Sequence, residues 1–154
     1  MLRRIVSGGQ TGVDRAALDV AMSLGIRCGG WCPSGRLAED GVIPPGYPMV
    51  ETPFAEYEVR TFLNVRDSDG TLVLTFGPPA NGTAYTIDCV VRLGKPFLVV
   101  DLDQQEDPKP VRSWLNEHRI TVLNIAGPRA SKVPRAYDGA LRFLLTVLSE
   151  GRQF

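Results

Sequence analysis

Short apolar runs alternate with amphipathic segments along almost the whole chain, and this alternation constrains the fold more than any other feature of the sequence. The runs predict five strands, over residues 4–7, 26–28, 71–76, 97–100 and 120–125. Segments with the apolar spacing of helices follow them, over residues 13–24, 56–66, 83–93, 109–118 and 137–148. Strands that alternate with helices form a parallel sheet covered on both faces. The sequence therefore predicts a Rossmann-like three-layer α/β/α fold with a mostly parallel sheet, built as a single domain over residues 1–154.

The length and charge of the chain narrow its function classes. A chain of 154 residues has the length of one domain. Lysine plus arginine number 17 and aspartate plus glutamate also number 17, so the formal net charge is zero. This balance argues against binding to nucleic acid or to an anionic membrane through bulk charge. We therefore expect neither as a partner.

The cysteines and the apolar segments indicate in which cellular compartment the protein is found. The three cysteines are an odd number and follow no zinc-binding pattern, so we expect neither a disulfide framework nor a protein-bound metal. No segment approaches the ~18 consecutive apolar residues of a membrane span. The first residues, MLRRIVSGG, have only a short apolar run after the arginines, unlike a signal peptide. These features predict a cytoplasmic protein.

The segment between the second strand and the second helix has no regular pattern. Residues 29–53 are rich in glycine and proline and are too long for a simple connector, which predicts a loop that is either functional or disordered. Within it, Trp31 and Tyr47 either stack on a base or close the loop over the core, and both interpretations stay open. In the helix that follows, Val59, Phe62 and Leu63 are expected to face the core.

Glycine-rich turns follow several predicted strands, at the edge where ligands bind in such folds. Open α/β sheets bind ligands beyond the carboxyl ends of their strands. The first strand leads into SGGQTG at residues 7–12, the third into NGT at 81–83 and the fifth into GPRAS at 127–131. Glycine allows close approach of a ligand, and a helix N-terminus offers free N–H groups. Two glycine-rich helix starts, which we expect on neighbouring strands, predict a site for a phosphate, completed by arginine.

Each part of this site also has a purely structural interpretation. The run SGGQTG matches neither the dinucleotide fingerprint GxGxxG nor the phosphate loop GxxxxGK[ST]. The charged residues are equally consistent with solvated surface groups, and Thr83 and Asn81 with a helix cap and a turn. What favours the binding interpretation is that all of these residues follow strands of one sheet. The sequence thus predicts an anionic small ligand, most simply a nucleotide or a phosphorylated cofactor.

The chain resembles the putative molybdenum carrier family in four segments: SGGQTGVDRAALDVA, RTFLNVRDSDGTLVL, NGTAYTIDC and LNIAGPRASKVP. That family belongs to a superfamily with the lonely-guy phosphoribohydrolases and DNA-processing protein A. The resemblance extends over roughly residues 4–148. It implies a Rossmann-like fold, a homo-oligomer and the binding of molybdenum cofactor (molybdopterin), a pterin that bears a phosphate.

Position after the strands and the family resemblance together give the candidate binding residues. They are Gly8, Gly9, Gln10, Thr11, Asp14, Arg15, Arg36, Asn81, Gly82, Thr83, Gly127, Arg129 and Ser131. We expect glycine N–H groups and threonine hydroxyls to donate to a phosphate, and Arg36 and Arg129 to neutralise its charge. Gln10 and Asp14 would orient the rest of the ligand. Any molybdenum would be held by the cofactor's own sulfurs and not by side chains.

One departure from the related enzymes bears on catalysis. The phosphoribohydrolases carry PGGxGTxxE, whose glutamate serves in N-glycosidic cleavage, whereas this chain has Thr86 at that position. The next carboxylate, Asp88, is expected to lie away from the site, although Asp14 or Asp101 can in principle replace it. The leading hypothesis is therefore a binding protein without chemistry of its own, a carrier or sensor. The alternatives are a nucleotide-processing hydrolase and a module that binds nucleic acid or protein.

Overall fold

The computed structural model describes residues 1–149 and places a parallel sheet between two layers of helices. The strands are β1 (Arg4–Val6), β2 (Arg27–Cys32), β3 (Leu37–Ala38), β4 (Gly41–Val42), β5 (Met49–Glu51), β6 (Gly70–Thr75), β7 (Phe97–Asp101) and β8 (Val122–Ala126). The helices are α1 (Val13–Ser23), α2 (Tyr57–Arg66), α3 (Asn81–Leu93), α4 (Lys109–Glu117) and α5 (Ala136–Ser149). Among the described residues, no helix combines the length and the apolar character needed to cross a membrane.

The main sheet has the strand order β5-β2-β1-β8-β6-β7, and every neighbouring pair runs parallel. The predicted Rossmann-like three-layer fold is confirmed. The expectation that the two glycine-rich helix starts follow neighbouring strands is wrong, because β8 lies between β1 and β6. The last strand, β8, lies in the centre of the sheet. The turns after β1, β8 and β6 are therefore adjacent at the carboxyl edge, where the prediction had placed only two turns side by side. The domain bounds 1–154 stay a prediction, and residues 150–154 lie outside the described residues.

Residues 29–53 are more ordered than the loop that the sequence predicts. β2 continues through Cys32, β3 and β4 form a separate antiparallel hairpin, and β5 pairs with β2 as a sixth strand at the sheet edge. The prediction missed β5 because this strand has only three residues and lies in a segment rich in glycine and proline. Its side chains are half-buried or exposed. A strand in this position needs no continuous apolar run, and the sequence therefore gives no strong signal for it.

The two faces of the sheet differ in chemistry. On one face, aliphatic side chains of β1, β6 and β8 pack against α1, α4 and α5 in the main core: Ile5, Leu72, Leu74, Leu123 and Ile125. On the other face, covered by α2 and α3, the alternate positions include Thr71, Thr75 and Asn124, all of which are buried. Asn124 Nδ2 donates a hydrogen bond of 3.3 Å to Thr71 Oγ1. Since buried polar groups need partners, this second face is suited to contact a polar molecule.

The helix α2 presents polar side chains to this second face. The prediction that Val59, Phe62 and Leu63 face the core is wrong for Phe62, which is exposed, whereas Val59 and Leu63 are half-buried. The helix buries Arg60 and Asn64 in addition to the apolar Val65. The Asn64 carboxamide exchanges two hydrogen bonds, of 2.8 and 3.1 Å, with the backbone of β2. Both buried polar side chains bind backbone groups, Arg60 at the carbonyl oxygen of Gly8 and Asn64 in β2, which explains how polar residues can occupy this helix face.

Candidate functional site

A cavity of about 630 Å³ lies at the carboxyl ends of β1, β8 and β6, beside the second face of the sheet. Its lining includes Thr75 and Asn124 from the sheet, Arg60 and Asn64 from α2, and the first turn of α3. The volume is within the range of about 300–1,000 Å³ that is typical of small-molecule sites. The aromatic side chains that also line it are Tyr57, Phe76 and Tyr85. The cavity can therefore hold a ligand with both apolar and polar surface.

The N-terminus of α3 forms part of the cavity lining. The helix begins at Asn81 and has no side-chain cap. Within residues 1–149, the N–H groups of Asn81 and Gly82 have no hydrogen-bond acceptor, whereas that of Thr83 donates to Ala80 O at 3.1 Å. Free N–H groups and the positive end of the helix dipole attract anions. This part of the cavity is therefore suited to a phosphate or a carboxylate.

Cationic side chains line the same cavity from two sides. Arg60 comes from α2, and Arg129 and Lys132 come from the segment between β8 and α5. Arg60 is 9% exposed, and its Nη1 donates to the carbonyl oxygen of Gly8 at 2.8 Å. Arg129 lies 3.5 Å from the carboxylate of Glu39, measured from Nε to Oε2. The positive charges and the free N–H groups of α3 favour the same kind of ligand group.

Asp14 is a buried carboxylic acid in the cavity lining. Its Oδ2 accepts a hydrogen bond of 3.2 Å from the N–H of Gln10. Burial raises the pKa of Asp14 to about 6, although the nearby charge of Arg60 and the N–H of Gln10 act to lower it. Asp14 therefore changes charge near pH 6, and it can both accept and donate a hydrogen bond around that pH.

The structure brings part of the predicted site together in this cavity. The predicted residues in its lining are Gly8, Gln10, Asp14, Asn81, Gly82, Thr83, Gly127 and Arg129. The other predicted residues, Gly9, Thr11, Arg15, Arg36 and Ser131, are not part of the lining. Whether any of them binds a ligand stays a prediction.

The predicted residues outside the lining bind other parts of the chain. Arg15 forms a bidentate ion pair with Asp40 at 2.5 and 2.8 Å, and its Nε donates to Gly9 O at 3.1 Å. Thr11 and Ser131 donate to the carboxylate of Glu39.

Arg36 is outside the lining as well. Its guanidinium donates to the carbonyl oxygens of Ile43, Pro44 and Tyr47 at 3.1, 2.8 and 2.9 Å. Arg36 thus stabilises the fold of the long segment between β2 and α2.

The two aromatic residues of the long segment also lie outside the lining. Trp31 Nε1 donates to Asp67 at 2.9 Å, and the Tyr47 hydroxyl donates to Asp19 at 2.7 Å. Of the two interpretations that the sequence left open, this geometry favours closure of the segment over the fold.

Several residues of the lining are not among the predicted candidates. They are Tyr57, Glu58, Arg60, Thr61, Asn64, Thr75, Tyr85, Thr86, Asn124 and Lys132, together with apolar neighbours. A signal for Thr75 and Asn124 is present in the sequence, since both alternate with the core positions Leu74 and Leu123 on otherwise apolar strands. Arg60 has no comparable signal, because an arginine in an amphipathic helix normally points to solvent.

The carboxylates that were considered for catalysis lie in different places. Asp14 lines the cavity, whereas Asp101 does not, and Asp101 Oδ1 accepts N–H groups of Gly77 and Asp103 at 3.0 and 2.9 Å. Thr86 lines the cavity, and its hydroxyl donates to Gly82 O at 3.0 Å. Within the described residues, no group of three or more His, Cys, Asp or Glu side chains is arranged to hold a metal ion.

Comparisons with known proteins bear on the family and the fold of the chain. The model of the circularly permutated YpsA SLOG family matches residues 5–148. The chain belongs to this family. A solved crystal structure of a putative molybdenum carrier protein from Syntrophus aciditrophicus SB is 47% identical to this SLOG family member, with a TM-score of 0.94. The alignment covers 96% of this chain and 95% of that one, and it confirms the family resemblance inferred from the sequence.

The comparison with curated proteins found no match for this SLOG family member. The family and the solved relative support a binding or carrier role and do not identify the ligand.

The hydroxyl of Thr75 is an unpartnered polar group in the cavity of this SLOG protein. It is buried and has no hydrogen-bond partner among residues 1–149. We expect Thr75→Val to raise the free energy of unfolding of the free protein by about 1 kcal/mol, because it removes a buried hydroxyl without a partner. The same change should weaken the binding of adenosine 5′-monophosphate. Urea denaturation and calorimetry measure the two effects.

Thr71→Val is the matched control for this prediction. The Thr71 hydroxyl accepts a hydrogen bond from Asn124, so its loss leaves a buried amide without a partner and should lower stability. A loss of stability in both variants would contradict the assignment of Thr75 to ligand binding.

Proposed function

We propose that this SLOG protein binds a phosphate-bearing, nucleotide-like small molecule in the cavity and acts as a carrier or sensor without chemistry of its own. One observation carries the proposal: the uncapped N-terminus of α3 lines a cavity that Arg60, Arg129 and Lys132 also line. A cavity that results only from imperfect packing would not combine free backbone donors, cationic groups and an unpartnered buried hydroxyl.

The proposed roles of the residues follow from their chemistry. The N–H groups of Asn81 and Gly82 and the hydroxyl of Thr83 donate to the phosphate, and Arg129 and Lys132 neutralise its charge. The heterocycle lies against the aromatic residues of the lining, where its polar edges can reach Gln10, Asp14, Asn64 and Thr75. The predicted residues Thr11, Arg15, Arg36 and Ser131 act indirectly in this proposal, since their side chains bind other parts of the chain.

Molybdenum cofactor is the specific ligand that the relatives favour. The solved relative is described as a putative molybdenum carrier protein. The cofactor is a pterin with a phosphate, and it suits the cavity because the lining combines an anion site, aromatic surface and the unpartnered hydroxyl of Thr75. In this proposal the cofactor's own sulfurs hold the molybdenum, so the chain supplies no metal ligand. The family relationship is also the basis for proposing a homo-oligomer that works in the cytoplasm.

A charge placed at the start of α3 tests the proposed phosphate site. A Cβ atom added at Gly82 meets nothing within 4 Å, so larger residues fit there without strain. We expect Gly82→Asp to weaken the binding of adenosine 5′-monophosphate at least about tenfold, because like charges repel by several times RT in a partly buried site. Calorimetric titration at constant ionic strength measures the affinity.

Gly82→Asn is the matched control, because asparagine has nearly the size of aspartate and no charge. We expect it to change the affinity less than threefold, on the order of ordinary surface substitutions. Circular dichroism checks that both variants remain folded. Equal affinities of the two variants would exclude the N-terminus of α3 as the phosphate site.

The natural ligand can be sought directly in protein purified without added ligand. Native mass spectrometry, followed by denaturation and analysis of what is released, should find a pterin or a nucleotide in stoichiometric amount. A released molecule that carries no phosphate would contradict the proposal.

A second candidate function is hydrolysis of a nucleotide-like ligand. It is favoured by Asp14, which lines the cavity and has a pKa of about 6, close to the value that suits a general acid or base. Overnight incubation with nucleoside monophosphates distinguishes the two functions. Release of free base that disappears in Asp14→Asn would support the hydrolase, whereas tight binding without release supports the carrier.

A further inference from the structure

The hairpin of β3 and β4 is anchored to the sheet edge by the carboxylate of Glu39. Glu39 Oε1 accepts hydrogen bonds from the hydroxyl of Thr11 and, at 3.0 Å, from the N–H of Ser131. Its Oε2 accepts the hydroxyl of Ser131 and lies 3.5 Å from Nε of Arg129. Two hydroxyls, one backbone N–H and one guanidinium thus surround a single carboxylate.

These donors are the kind that bind an anionic group of a ligand. Thr11, Arg129 and Ser131 are among the residues predicted from the sequence to do so, and here they bind a carboxylate of the same chain. Desolvation acts to raise the pKa of Glu39, but hydrogen bonds from Ser131 and Thr11 and the charge of Arg129 lower it below its ordinary value. Glu39 therefore remains charged at neutral pH and is an internal anion.

Two residues connect this anion to the cavity. Arg129 lines the cavity and pairs with Glu39, while Gln10 lines the cavity and its Oε1 accepts the N–H of Glu39 at 2.9 Å. Glu39 itself is not part of the lining. The side chain of Arg129 is 37% exposed, so it is free to turn toward an anion in the cavity. A ligand phosphate and Glu39 would thus draw on the same guanidinium.

We infer that Glu39 is an internal competitor for Arg129, that it lowers the affinity of the cavity for anions, and that the hairpin loosens when a phosphate-bearing ligand binds. This inference rests on the proposed function and adds a residue that sets its affinity. Binding would move Arg129 from Glu39 toward the ligand, so that only Thr11 and Ser131 hold the Glu39 carboxylate. The ion pair of Asp40 with Arg15 and the hydrogen bond from the N–H of Glu39 to Gln10 would still hold the hairpin. The hairpin becomes less protected as the cavity fills.

The test compares Glu39→Gln with Asp40→Asn. Both variants remove one negative charge from the same hairpin, but Asp40 pairs with Arg15, which does not line the cavity. Glutamine keeps an oxygen that accepts the N–H of Ser131, so the hairpin can stay docked. We expect Glu39→Gln to tighten the binding of adenosine 5′-monophosphate by about two- to fivefold at low salt, as for an exposed ion pair, and Asp40→Asn to leave it unchanged.

Hydrogen exchange provides a second measurement on the unmodified protein. Saturating adenosine 5′-monophosphate should speed the exchange of amides in residues 37–42, because the hairpin loses its contact with Arg129. Equal affinities of the two variants, or weaker binding by Glu39→Gln, would overturn the inference while leaving the proposed function intact. If neither the unmodified protein nor the variants bind any phosphate-bearing probe, the proposed function fails and the inference with it.

Discussion

Replacement of Gly12 by alanine is expected to lower the free energy of unfolding by about 3 kcal/mol or more, which is a large part of the stability of a domain of this size. Gly12 has a φ of +80° and caps α1. A Cβ atom at this position would lie 2.4 Å from the carbonyl oxygen of Pro128 and 3.0 Å from the Cα of Arg129. Both neighbours are backbone atoms, so no side chain can rotate away to relieve the clash.

Gly25→Ala is the matched control for this change. Gly25 also has a positive φ, of +69°, but a Cβ atom there meets nothing within 4 Å. Backbone strain alone should then lower stability by about 1 kcal/mol. Urea denaturation of both variants measures the difference. Similar losses in the two would show that the approach of the turns after β1 and β8 does not determine stability at this point.

The position of the turns after the strands explains why the sequence predicts part of the cavity lining. A turn between a strand and a helix must lie at the carboxyl edge of the sheet, whatever the order of the strands. Gly8, Gly82 and Gly127 are therefore placed correctly at that edge by position alone, although the predicted neighbour relation between β1 and β6 is wrong. Local pattern identifies strands, but only long-range pairing decides that β8 lies between them.

The parts of the site that the sequence does not reveal depend on contacts between distant segments. Arg60 can be buried because its guanidinium donates to the carbonyl oxygen of Gly8, which is 52 residues away in the chain, and no local pattern reveals that partner. Likewise, Thr11 and Ser131 look like ligand donors until the hairpin carries Glu39 to them from another part of the chain. The type of a residue predicts what it can bind, whereas the tertiary fold decides which partner it meets.

Asp14 gives the second large prediction, a stability that depends on pH. Burial raises the pKa of Asp14 from 3.8 to about 6 in the folded protein. The folded state therefore holds this proton more tightly than the unfolded state does. The stability that protonated Asp14 contributes is fully present below about pH 4 and is lost as the pH rises through about 6. At pH 8 the ionised, buried carboxylate lowers the free energy of unfolding by about 3 kcal/mol.

We therefore expect Asp14→Asn to stabilise the free protein by about 1–3 kcal/mol at pH 8 and to have little effect at pH 4. The asparagine oxygen can still accept the N–H of Gln10, which isolates the effect of the charge. Asp40→Asn should instead lower the free energy of unfolding at pH 8, and by a smaller amount, because the hydrogen bonds from Arg15 lower the pKa of the half-exposed Asp40. Denaturation curves between pH 4 and 8 measure both. A loss of stability in Asp14→Asn at pH 8 would mean that attraction to the nearby charge of Arg60 outweighs the cost of burial. Asp14 would then be a structural carboxylate and not one kept for a ligand at a cost in stability.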